Sequence, residues 1–240
     1  MEGCGMDGTS GGGDNDALPL AYLEYGPRQS VPEGEKPPLL LMLHGVGANE
    51  RDLFPLAPEL DPRLQILSLR APLTRGPNSY AWFTVAFLPE GYKIAPEQLD
   101  ASRKRVVEFI HAAIERYDAD PERVYLLGFS QGAIMSLAVA LTEPELLAGV
   151  IALSGRIPPE VEPWIVAPER TAGLPIFLAH GRQDSVIPYE WAERAKPLLE
   201  RQRVALEYHA YDMEHQIGAQ TLADLIAWLS AHLDAPRREG

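Results

Sequence analysis

The sequence is poorest in cysteine: Cys4 is the single one in 240 residues. One thiol cannot close an internal disulfide, and such usage suits a reducing compartment. Cys4 lies in a leader of glycine, aspartate and serine. No ordered element is expected around it to activate a thiolate, so it is not read as catalytic. Long apolar runs are missing too. No stretch reaches about 18 apolar residues, the length that spans a bilayer. The opening M-E-G-C-G-M-D-G-T-S has no basic region followed by an apolar one, so it does not read as a secretory signal, and the expected location is cytoplasmic. Basic residues are the third shortage: 21 Lys and Arg stand against 34 Asp and Glu, a formal net charge of −13. Such a chain is repelled by nucleic acid and by anionic lipid, which excludes both as general partners. The acidity itself is read as a solubility feature.

What is present is enough apolar material, 46% of residues, for one large packed domain. Residues 1–17 are too poor in apolar side chains to offset ordering entropy and are read as a disordered leader. Residues 18–234 form the expected domain, and 235–240 a frayed tail. Within the domain, apolar runs alternate with helical periodicity. Strands are expected at 20–25 (on an edge), 39–44, 65–70, 123–129, 149–154, 175–180 and 205–211. Helices are expected at 96–117, 131–141, from about 188, and at 217–233. In the first of these helices Leu99, Arg103, Val106, Ile110 and Ala113 share a stripe, from which Arg103 would have to snorkel. Pro197 should kink the third or end it early. Such alternation implies a mostly parallel sheet covered by helices on both faces. Two long connections, 73–95 and 156–173, are candidate binding loops. The first holds Tyr80, Trp82, Phe83, Phe87 and Tyr92.

Two segments fit G-x-S-x-G: G-T-S-G-G at Gly8–Gly12 and G-F-S-Q-G at Gly128–Gly132. A chance match in a chain of this length is on the order of one in ten, so the pattern alone decides nothing. Context does. Ser10 lies in the leader, whereas Ser130 follows the strand-like R-V-Y-L-L and precedes a helix. A tight turn there would hold its hydroxyl at the carboxyl edge of the sheet, where open α/β sheets bind ligands. The bland alternative is an ordinary helix N-cap. A serine nucleophile needs a base, then an acid to orient that base, in the chain order Ser, acid, His. Of the histidines after Ser130, His180 has no strand-end acid before it, His209 lies within a strand, and His232 lies on an exposed helix. His215, in the loop after the strand ending at Tyr211, is the preferred base. Asp184, after the strand ending at His180, is the preferred acid, with Asp212 as runner-up. A histidine base must be neutral, so turnover should decline below about pH 6.5. The backbone N–H groups of Gln131 and of Val46, in L-H-G-V-G, are the expected oxyanion donors.

Taken in order, L-H-G-V-G, G-F-S-Q-G, A-L-S-G, H-G-R-Q-D-S-V-I-P and E-H-Q-I resemble the motifs of the phospholipase/carboxylesterase family, over about residues 38–233. The resemblance implies an α/β-hydrolase fold with no large cap domain and a Ser130–Asp184–His215 triad. It also implies hydrolysis of carboxylic esters or thioesters with neither cofactor nor metal. The segment A-W-F at 81–83 resembles a family segment near the acyl site, which makes Trp82 and Phe83 candidate substrate-binding residues. Ala48-Asn49 replaces a familiar acidic residue, and Glu214 stands where a small residue commonly precedes the histidine. A small-molecule ester or acyl compound is the expected partner, with a second copy of the chain as a further one. A non-catalytic binding protein and a peptidase on the same scaffold are the competing readings.

Overall fold

The computed structural model describes residues 18–88 and 91–235. Cys4, Ser10, the leader at 1–17 and residues 236–240 of the tail lie outside the described residues, as do the side chains of Phe87 and Tyr92. In chain order the elements are β1 (Tyr22–Tyr25), β2 (Leu39–Leu43), β3 (Gln65–Leu69), β4 (Leu73–Gly76), β5 (Ser79–Ala81), β6 (Val85–Leu88), β7 (Gly91–Ile94) and α1 (Pro96–Tyr117). There follow β8 (Val124–Phe129), α2 (Gln131–Thr142), β9 (Gly149–Leu153), α3 (Pro168–Thr171), β10 (Pro175–Gly181), α4 (Glu190–Arg201), β11 (Ala205–Tyr211) and α5 (Ala219–Asp234).

Seven strands form the central sheet in the order β1-β3-β2-β8-β9-β10-β11. Only β1 runs antiparallel, against β3; the other pairings are parallel. The apolar runs explain the interior strands. Every residue of L-L-L-M-L in β2 and of G-V-I-A-L in β9 is buried, as expected of a sheet covered on both faces. Side chains alternate between the faces. Leu39, Leu41 and Leu43 join the core under α1 and α2, while Leu40 and Met42 join Leu225, Trp228 and Leu229 of α5 on the other side. Helix α2 has no solvent face, since all twelve of its residues are buried. The chain leaves β2 toward β3 on one side, and β8 then enters on the other. The carboxyl ends of β2 and β8 therefore flank a topological switch point, the crevice where α/β sheets place ligands.

Two expectations need correction. Arg103 does not snorkel; it is 8% exposed. Asp100 accepts from its Nε and Nη2 at 3.1 and 2.8 Å, and Thr142 Oγ1 from its Nη1 at 3.0 Å. A carboxylate one turn away on α1 and the Thr142 hydroxyl at the end of α2 thus do the work assigned to water. Pro197 does not end its helix early, since α4 continues to Arg201. Pro197 and Glu193 both lie on the exposed side, so the carbonyl that proline deprives of a donor faces solvent. The connection 73–95 is built of two antiparallel hairpins, β4–β5 and β6–β7. The connection 156–173 contains a 3-10 turn at Pro159–Trp164 and the short α3.

Candidate active site

Ser130 sits between β8 and α2 with φ 54° and ψ −116°, a left-handed conformation that a residue with a Cβ adopts only under constraint. The constraint is visible on both sides. Its N–H donates to Leu153 O at 2.9 Å, and its carbonyl accepts from Ile134 N at 3.1 Å. The turn closes only because its flanks are glycine. A Cβ at Gly132 would overlap the carbonyl of Leu43, and one at Gly128 would overlap that of Gly132. Strand β2 and the start of α2 are therefore in backbone contact, and the serine is held where they meet.

His215 Nε2 lies 2.9 Å from Ser130 Oγ, and His215 Nδ1 lies 2.7 Å from Asp184 Oδ2. A carboxylate only accepts, so Nδ1 carries the proton and Nε2 is the acceptor for the serine hydroxyl. Asp184 is itself fixed: Oδ1 accepts the N–H groups of Val186 and Ile187 at 2.9 and 2.8 Å. The Phe129 ring packs on the imidazole with centroids 4.9 Å apart. Residues 54 and 85 positions apart along the chain are thus joined in one line of hydrogen bonds. Asp212, the runner-up acid, instead faces Arg182 Nε at 3.6 Å. His209 stacks on Phe177 and bonds Glu207, and His232 bonds the carbonyl of Trp228.

The loop after β2 passes directly over the serine; a Cβ at Gly45 would stand 3.3 Å from that of Ser130. Among the described residues the Val46 N–H has no acceptor. Gln131 is the first residue of α2, where a backbone N–H has no intrahelical acceptor. Both groups are thereby available to an anion, and the helix N-terminus favours negative charge. Four contacts brace this loop. Gly47 N donates to Tyr80 O at 2.8 Å, and Tyr80 N to Ala48 O at 2.9 Å. Asn49 Nδ2 donates to Asn78 O at 2.8 Å. Arg70 holds Glu50 through two bonds of 2.6 Å and keeps that carboxyl below the usual carboxylate range.

Trp82 and Phe83 are not where a substrate-binding role would put them. Both rings are wholly buried, so neither can touch a substrate in this conformation. They are fixed from behind the turn. Gln131 Oε1 accepts from Trp82 N at 2.7 Å, and Gln131 Nε2 donates to Phe83 O at 2.8 Å. Trp82 Nε1 donates to His44 O at 2.9 Å. Three supporting roles escaped sequence reasoning: this one of the Gln131 side chain, and those of two buried histidines. His44 Nδ1 donates to Gly45 O at 2.7 Å, and its Nε2 accepts from Ala71 N at 3.0 Å. Burial holds its pKa below the usual histidine value, as suits a neutral strut. His180 Nε2 lies 2.7 Å from Ile187 O and 3.3 Å from Asp184 Oδ2, while its buried Nδ1 has no partner among the described residues. Burial lowers its pKa too. The one sequence signal for it was the four-residue spacing of His180 and Asp184 in H-G-R-Q-D.

Among the described residues no helix is long and apolar enough to cross a membrane. The sequence model of the phospholipase/carboxylesterase family matches residues 28–233. A probable carboxylesterase of Oryza sativa subsp. japonica is 32% identical over 164 residues, 66% of this chain, and the match spans only 60% of that protein's length. Acyl-protein thioesterase 1 of Kluyveromyces lactis is 30% identical over 191 residues, 78% of this chain and 79% of that one. The crystal structure of the Bacillus cereus carboxylesterase superposes with a TM-score of 0.76 at 25% identity, covering 89% of this chain and 94% of that one.

Proposed function

The chain belongs to the phospholipase/carboxylesterase family, and from that premise we propose that it hydrolyses carboxylic esters or thioesters at Ser130. The reading rests on one observation above the others, the line Ser130 Oγ–His215–Asp184 at 2.9 and 2.7 Å. Ser130 Oγ attacks the acyl carbonyl while its proton passes to His215 Nε2. The carbonyl oxygen becomes an oxyanion, received by the N–H groups of Val46 and Gln131. Asp184 holds the proton on Nδ1 and stabilises the imidazolium. The tetrahedral species collapses, the bond to the alcohol or thiol breaks, and His215 returns the proton to the departing atom. Water then adds to the acyl-enzyme with His215 again as base, releasing the acid and restoring Ser130.

The test is Ser130→Ala, assayed on p-nitrophenyl butyrate with circular dichroism as the check on folding. Turnover should fall by at least about 10³-fold with the spectrum unchanged. A fluorophosphonate should label the wild-type chain at Ser130. Turnover that survives the substitution rejects Ser130 as the nucleophile, and an unlabelled, inactive wild-type chain rejects the proposal in favour of a non-catalytic binding protein.

A further inference from the structure

Beside the base lies a hollow of about 270 Å³ whose walls include Asp52, Leu53, Leu56, Phe129, His215 and Ile217. Its position has a chemical meaning if the esterase reading holds, and the following inference rests on that reading. The proton taken from Ser130 must be delivered by the imidazole to the departing oxygen or sulfur. The departing group therefore lies on the imidazole's side, and this hollow has His215 in its wall. Asp52, Leu53 and Leu56 in its wall follow in the chain directly on the loop that carries Val46.

Leu53, Leu56, Phe129 and Ile217 give the lining its apolar part, His215 and Gln216 add polar groups, and Asp52 carries a formal negative charge. Among the described residues no ion pair engages that carboxylate. Its backbone N–H is occupied by Asn49 O at 3.1 Å. Glu214, exposed beside His215, adds a second negative charge nearby.

We propose that this hollow receives the leaving group of the ester, and that Asp52 selects leaving groups carrying a compact ammonium on a short apolar body, as in an amino alcohol. Leu53, Leu56, Phe129 and Ile217 take the methylene and methyl groups, and the carboxylate faces the cation.

The test compares butyrylcholine with 3,3-dimethylbutyl butyrate, which share an acyl chain and a shape and differ in charge. The quantity read is the ratio of their kcat/KM values. In Asp52→Asn that ratio should fall by about fivefold relative to wild type, the effect of one unit charge at about 4 Å in watery surroundings. Intrinsic reactivity cancels in this comparison. The wild-type ratio should shrink in about 1 M NaCl, where screening is strong. Asp52→Glu, which keeps the charge, and Asp212→Asn, which removes one outside the hollow, should both hold the wild-type ratio. An Asp52→Asn ratio within twofold of wild type, or equal losses in Asp52→Asn and Asp212→Asn, overturns the inference. Failure of the wild-type protein on both esters strikes instead at the esterase reading.

Discussion

Gln131 has two separate duties in the structure. Its backbone N–H stands at the open first turn of α2, while its side chain ties down Trp82 and Phe83 from inside. Gln131→Ala keeps the first and deletes the second, orphaning a buried N–H and a buried carbonyl. It should cost about 2–3 kcal/mol of stability, read as a lower urea midpoint with an unchanged slope; a midpoint equal to wild type would deny the side chain this duty. At this scale legibility divided by reach. Ser130, His215 and Asp184 could be chosen in the sequence because each follows a strand in the required chain order, and these three are the residues the structure brings together. Trp82 and Phe83 could not be placed, because an aromatic beside a site reads the same whether its ring points outward or inward. The partners of His44 and Gln131 stand 27 and 49 positions away, and no local pattern encodes them.

At the scale of elements, apolar runs announced the buried strands, and α1 matches its expected span of 96–117. The hairpins in 73–95 were missed because strands of three or four residues are too short to show alternation. They matter to the site, since Tyr80 in β5 carries two of the hydrogen bonds that hold the loop after β2. The Glu50–Arg70 pair fastens the same loop to the end of β3. Glu50 is 6% exposed and Arg70 is 36% exposed at the side chain. Arg70→Ala leaves the carboxylate buried without its partner and should cost about 2 kcal/mol, less than a fully buried pair because Arg70 meets solvent. If the brace positions Val46, ester turnover should fall in the same variant with little change in KM. Denaturation and kinetics on one preparation check both, and a variant as stable and active as wild type rejects the brace.

For the whole molecule, the two buried histidines set an acid limit. His44 and His180 both titrate below the ordinary value of 6.5 because burial disfavours their charged forms. The unfolded chain thus binds protons first as pH falls, and the stability from these groups is complete above pH 6.5 and lost on descent through their folded values. Carboxylates such as the buried Glu50 and the half-buried Asp61 are held below their ordinary 4.5 and 3.8, so their losses begin only in more acidic solution. A urea midpoint that drops between pH 6.5 and 5 is the expected signature of the histidines, and a flat midpoint over that interval would contradict it. None of this was visible in the sequence, where a histidine in a strand end carries no mark of its burial.

Helix α2 has a consequence for how the protein is made. Its twelve residues are enclosed on every side, so on its own it has no surface compatible with water, and its first turn is shaped by the backbone of β2. The nucleophile consequently has no native conformation until the sheet beneath it has assembled and α1 has closed over it. On the proposed function, fluorophosphonate labelling of Ser130 would report completed assembly: a newly made chain would arm itself only at the finish.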